Sequence, residues 1–179
     1  MNKWVFTGGM STGKTTTINL LKKQGYQIIP EASEKILINY KSKYNKYPWE
    51  DNTNNLLYFH KNVFNTQKKL ELSTNSTNNI FLDRGMPDRL VFCQIDKVDL
   101  VDDIKEYISN NKYKGIFLFE TNEKIYENSA HRPQNIEHSK LIESLITKTY
   151  KELGYNPIKV PFLPQEERVK FILDKVNQN

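Results

Sequence analysis

Short apolar runs alternate with longer stretches of helical spacing along the whole chain. Residues 3–7 (KWVFT), 26–29 (YQII), 79–82 (NIFL), 113–120 (YKGIFLFE) and 156–160 (NPIKV) each hold an apolar run of strand length. Between them, residues 15–23 place Ile18, Leu20 and Leu21 on one side of a helix that Gly25 stops. Residues 31–40 repeat the helical spacing through Ile36, Leu37 and Tyr40. The polar stretch 41–55 (KSKYNKYPWEDNTNN), with Pro48 and several asparagines, predicts a loop. Residues 56–72 predict one long helix, 73–78 a turn, and 87–95 and 100–109 two shorter helices. Residues 121–135 show no clear period, 136–153 predict a long amphipathic helix ended by Gly154, and 166–176 a closing helix. Apolar strands alternating with amphipathic helices imply a parallel sheet covered on both faces, with right-handed crossovers. The expected fold class is therefore α/β, with a five-stranded parallel sheet. No internal repeat and no long linker interrupts the pattern, so residues 1–179 are expected to form a single domain.

Composition narrows the picture. The 179 residues are 37 % apolar and 12 % aromatic, so large rings are available to fill a core. No apolar run approaches the roughly 20 residues that cross a bilayer. The N-terminus runs straight into a strand pattern without a signal-peptide signature, and the expected location is the cytoplasm. Cys93 stands alone, and His60, His131 and His138 show no ligand spacing, which argues against a zinc site. The formal charge of +5 and pI near 9.1 favour anionic partners. Nearly all of the excess is lysine, the signature of a solvated surface. The few arginines, Arg84, Arg89, Arg132 and Arg168, stand out because planar phosphate contact favours Arg.

The densest chemistry is FTGGMSTGKTTT, residues 6–17. Gly8, Gly13, Lys14 and Thr15 fit G-x-x-x-x-G-K-[ST], between a strand and a helix as a phosphate loop requires. Gly8, Gly9, Met10, Ser11, Thr12, Gly13, Lys14, Thr15 and Thr16 are the expected nucleotide-binding residues. Their backbone N–H groups converge on phosphate oxygens, Lys14 reaches the β- and γ-phosphates, and the Thr15 hydroxyl ligates Mg2+. Asp83, at the end of the third strand, is either a second carboxylate on the metal side or a turn cap; Arg84 beside it favours the first. Glu31, after the second strand, is either a general base for an acceptor hydroxyl or a first-turn acid on the helix dipole. Arg132, in the aperiodic segment 121–135, is a lid arginine on the transferring phosphoryl group or a solvated loop residue. Phe162, in PFLP after the fifth strand, lines a base pocket or belongs to a tight strand-to-helix connection. Arg168 reads as surface of the last helix, and Cys93 as a core residue.

Taken in order, FTGGMSTGKTT, GYQIIPEAS, IFLDRGMPD, FLFE…YENSAHR and YKELGYNPIKVPFLPQEERVKFIL resemble the small P-loop proteins of AAA domain family 28. That group also includes kinase domains similar to nicotinamide riboside kinase. The resemblance spans almost the whole chain. It implies a P-loop NTPase fold of nucleoside- or nucleotide-kinase type, with a lid over about 121–135, and not a ring-forming motor. It also implies that Glu31 takes the acceptor-base position, Asp83 and Arg84 the acid–arginine pair, and Arg132 the lid arginine. Such lids often carry an Asp shortly before the Arg; here Glu127 and Asn128 stand in that stretch.

Two functions compete at this level. The first is an ATP- and Mg2+-dependent small-molecule kinase acting on a nucleoside-like hydroxyl, with catalytic roles for Lys14, Glu31, Asp83, Arg84 and Arg132. The second is a GTP- or ATP-dependent regulatory NTPase whose basic surface meets acidic lipid or a protein partner. A kinase of nucleic-acid ends is the weakest reading, resting only on the Lys/Tyr stretch 41–49.

Overall fold

The computed structural model describes residues 2–74, 76–122 and 136–178. Five strands, β1 (Lys3–Gly8), β2 (Gln27–Ile29), β3 (Ile80–Asp83), β4 (Gly115–Phe119) and β5 (Ile158–Val160), form one sheet in the order β2-β3-β1-β4-β5. The central strand β1 runs parallel to both β3 and β4, and β4 runs parallel to β5. Every residue of β1 and β3 is buried, as expected of strands covered on both faces. Among the described residues seven α-helices accompany them: α1 (Lys14–Lys23), α2 (Ala32–Tyr44), α3 (Thr53–Ser73), α4 (Met86–Ile95), α5 (Val101–Asn110), α6 (Ile136–Glu152) and α7 (Gln165–Asn177). None of the described helices is long and apolar enough to cross a membrane.

The chain divides into two compact units. The first comprises Met1–Ile28, Ser76–Gly85 and Tyr113–Asn179. Its core is built from rings: Trp4 and Phe6 of β1, Phe81 of β3, and Phe117 and Phe119 of β4. Phe6 lies 5.6 Å from Phe81, 5.6 Å from Phe117 and 5.1 Å from Phe119 between ring centroids, in edge-on or tilted geometries that aromatic quadrupoles favour. Ile18 and Leu21 of α1, with Val169, Ile172 and Val176 of α7, close over these rings. Strand alternation sends Val5 to the opposite face, where α6 packs on β1. The buried rings of β1, β3 and β4 thus gather on one side of the sheet. Helices cover both sides.

The second unit comprises Ile29–Asn75 and Met86–Lys112. Ala32 and Leu37 of α2 pack with Tyr47 and with Phe59 and Val63 of α3. Here the structure departs from the expected loop over 41–55. Helix α2 continues to Tyr44 and ends at Asn45, whose left-handed backbone (φ 52°) closes the helix. Pro48 then opens a short 3-10 turn, Pro48–Glu50, where its missing N–H costs no helical bond. The Glu50 carboxylate accepts from the Tyr47 backbone N–H at 2.6 Å. Asn52 caps α3 by accepting from the Asn55 N–H at 2.9 Å, so α3 begins at Thr53. Turn chemistry in the sequence was real, but it belonged to helix caps. Tertiary burial of Tyr40 and Tyr47 drew the polar residues around them into ordered turns.

Candidate phosphate-loop site

The loop between β1 and α1 is held by close backbone approaches. Gly8 has φ 129°, a region open to glycine, and a Cβ there would overlap the Phe119 carbonyl of β4. Gly13 sits in the left-handed region (φ 85°) as the residue before α1. Its carbonyl accepts from the Thr17 N–H at 3.1 Å and the Thr17 hydroxyl at 2.9 Å, which starts the helix. Ser139 of α6 accepts from the Met10 N–H at 2.9 Å and anchors the outer side of the loop. Lys14 is 6 % exposed. Its ammonium curls back along the loop, donating to the Gly9 carbonyl and, at 3.1 Å, to the Thr12 hydroxyl. A buried ammonium lying along a ring of backbone is a point charge held ready for an anion.

β3 supplies the acid. Asp83 lies in register with Phe6, two residues before Gly8, where β1 ends. The Thr15 hydroxyl, on the first turn of α1, donates to Asp83 Oδ2 at 3.0 Å. Two hard oxygens, a hydroxyl and a carboxylate, therefore stand side by side at the loop. This donor set suits Mg2+, whose neighbouring ligands at bonds of about 2.1 Å lie about 3 Å apart. Arg84 follows with φ 69°, an uncommon conformation for a residue with a Cβ. Its N–H donates to the Phe6 carbonyl at 2.9 Å, and its guanidinium donates to the Gly8 carbonyl at 3.2 Å. The acid–arginine pair is thus tied to β1 and to the loop's first glycine. The positive φ is strain concentrated at that junction.

Other expected residues fall elsewhere. Glu31 belongs to the second unit, directly before α2, where its carboxylate accepts from the Ser33 hydroxyl. Arg132 lies outside the described residues, as does most of the expected lid. Phe162 is 56 % exposed and borders a cavity of about 300 Å³, together with Thr12, Phe119, Asn122, Lys159 and Arg168. Arg168 itself corrects the sequence reading. It is 6 % exposed and reaches the loop, with Nη1 donating to the Thr12 carbonyl at 3.3 Å. The scarcity of arginine was a signal pointing to it; the exposed Glu166 and Glu167 beside it pointed to surface.

Cys93 is buried, as its apolar setting implied, but it is not isolated. Its thiol lies 3.4 Å from His60 Nδ1, and His60 Nε2 lies 2.8 Å from Asp96 Oδ2. With the proton on Nε2, the ring donates to the carboxylate and accepts from the thiol. Burial pushes the Cys93 thiol up to about 11; Asp96 adds to the rise and Arg89 opposes it. A raised folded-state value means this stabilising contribution is complete below pH about 9. It is lost as pH climbs through about 11. We expect native Cys93 to react with an aromatic disulfide at pH 8 about a hundredfold more slowly than in denatured protein. Equal rates in the two states would remove the basis for this assignment.

Residues 3–168 match AAA domain family 28, described as an AAA domain. No curated protein matches the chain in sequence. Among solved structures, the deoxyadenosine kinase from M. mycoides with bound dATP is 17 % identical, with a TM-score of 0.71 over 99 % of this chain and 100 % of that one. The NadR protein in complex with NR is 17 % identical, with a TM-score of 0.72 over 99 % of this chain and 50 % of that one. Thymidylate kinase from Candida albicans is 14 % identical, with a TM-score of 0.66 over 99 % and 92 %. At these identities the likeness is one of fold.

Proposed function

Because the chain belongs to AAA domain family 28, we propose that it is a Mg2+-dependent small-molecule kinase that moves the γ-phosphoryl group of ATP or GTP to a nucleoside-like hydroxyl. The observation that carries this reading is the Thr15–Asp83 oxygen pair at 3.0 Å, one residue from a buried lysine on a glycine loop. Structures of the same fold include nucleoside and nucleotide kinases. In this reading Thr15 and Asp83 hold the metal, directly or through water. When bound, Mg2+ neutralises charge on the phosphate oxygens. Lys14 and the N–H groups of the loop hold the β- and γ-phosphates, and the cavity beside Phe162 takes the base. The acceptor oxygen attacks the γ-phosphorus, the bond from that phosphorus to the β-phosphate bridging oxygen breaks, and the nucleoside diphosphate leaves. Arg84 and Arg132 stabilise the charge that develops. Glu31 takes the acceptor's proton.

The test is a nucleotide-consumption screen with purified protein, Mg2+, ATP or GTP, and a panel of nucleosides that includes nicotinamide riboside. Lys14→Ala serves as the blank. Acceptor-dependent consumption by the wild type is the expected result. Tight nucleotide binding without any acceptor dependence would overturn the kinase reading in favour of a regulatory NTPase. Within an active pairing, Glu31→Gln is expected to lower turnover about a hundredfold, while ATP affinity stays within a few-fold of wild type. Wild-type turnover in that variant would disprove the base assignment.

A further inference from the structure

Arg168 is a buried cation that the phosphate-loop pattern does not contain. It sits on the first turn of α7, and its guanidinium spans two carbonyls. Nη1 donates to Thr12 at 3.3 Å and Nη2 to Leu163 at 3.2 Å. Its Nε is buried without a hydrogen-bond partner. The group lies 5.8 Å from the Phe119 ring centroid and 5.5 Å from that of Phe162. Among the described residues it pairs with no carboxylate. Glu120, the acid that lines the same cavity, is bonded to Lys159 at 2.6 Å. A guanidinium placed among carbonyls and rings, with no counter-charge, is costly unless something anionic completes it. Burial accordingly lowers its affinity for its own proton.

Its position says where the anion belongs. A Cβ on Gly13 would lie 2.6 Å from Nη1, so the guanidinium passes directly against the Thr12–Gly13 peptide. A trans peptide carries its C=O and N–H on opposite sides. Holding the Thr12 carbonyl toward α7 therefore turns the Gly13 N–H the other way. Gly13 thus has two physical duties: a left-handed backbone, and clearance for the arginine behind it.

We propose that Arg168 is a positioning residue for phosphate recognition, which locks the Thr12–Gly13 peptide in its phosphate-binding orientation from behind the loop and supplies positive charge to the bound polyphosphate through that peptide. The inference rests on the reading that Gly8–Thr15 holds a nucleotide's phosphates. It adds a cation from α7 to a site otherwise built from β1, α1 and β3. Its counterpart in the cavity wall, the Phe162 ring, ties the same side chain to the base side.

The experiment compares affinities for ATP and AMP by calorimetry in wild type, Arg168→Met and Arg168→Ala, with GTP and GMP as the pair if the wild type prefers guanine. Methionine keeps the stem and its packing but removes the charge and both donors. We expect Arg168→Met to lose about tenfold to a hundredfold in ATP affinity, the loss typical of charge-assisted hydrogen bonds, with AMP affinity within about threefold of wild type. We also expect millimolar guanidinium, entering the cavity that Arg168 lines, to restore ATP affinity in Arg168→Ala without changing the wild type. A purely structural arginine would lower ATP and AMP affinity together, or lower only the melting temperature, and either outcome overturns the proposal. If Arg168→Met does not fold, the guanidinium response of Arg168→Ala decides alone. Its absence counts against the proposal. A wild type that binds ATP no better than AMP overturns both this inference and the phosphate-loop reading. A wild type with a strong ATP preference that Arg168→Met retains overturns this inference only.

Discussion

Lys14→Ala should reduce nucleotide turnover about a thousandfold or more, with little change in melting temperature. Removing one fixed donor to developing charge costs about a hundredfold to a thousandfold in comparable sites, and this donor carries a full charge. Lys14 is 6 % exposed, so its field acts through a poorly screened path. Its present partners, the Gly9 carbonyl and the Thr12 hydroxyl, also bond each other at 3.2 Å, so the loop keeps an internal tie when the lysine is gone. That is why the fold should survive. Steady-state turnover and a thermal melt on the same preparation check both halves. A variant within tenfold of wild-type turnover would mean that Lys14 does not touch the reacting phosphates. A variant that melts far below wild type would mean that its role is structural.

Asp83→Asn should cost about a thousandfold in turnover and shift the Mg2+ dependence to higher concentration. Asparagine is nearly the same size, and its amide oxygen still accepts from the Thr15 hydroxyl. What it removes is the negative charge that sets carboxylate apart as a ligand for a hard dication. Titrating Mg2+ at saturating ATP separates the possibilities. A reduced maximum with an unchanged Mg2+ midpoint would deny Asp83 a metal role and leave it as a cap. A large shift in the midpoint, partly reversed by Mn2+, is the expected outcome, because Mn2+ accepts oxygen ligands with less demand on geometry.

Much of the first unit was legible in the sequence because its strands are short, apolar and rich in aromatics. β1, β3 and β4 needed no long-range information to be recognised as buried strands. The phosphate loop was legible for a related reason: glycine at two positions, lysine and threonine are required by backbone geometry and charge, not by distant neighbours. The stretch 41–55 was less legible. Its caps, Asn45 and Asn52, use the same residue types as loops do, and only burial of Tyr40 and Tyr47 distinguishes the two cases. Arg168 was harder still, since beside Glu166 and Glu167 it reads as surface of the last helix until the fold brings it against Thr12.

By itself, the sequence determined the order of strands and helices, the glycine loop after β1 and the acid at the end of β3. Each is written in local chemistry: period, glycine freedom, and a charged residue after an apolar run. The tertiary structure alone decided which of these groups meet. It paired the Thr15 hydroxyl with Asp83 across 68 positions of sequence, turned Arg84 onto Gly8, and drew Arg168 across 156 positions to the back of the loop. Those contacts depend on the parallel register of β1 with its neighbours and on the ring-filled core that seats α7. No local pattern specifies either, because both arise from packing between segments far apart in the chain.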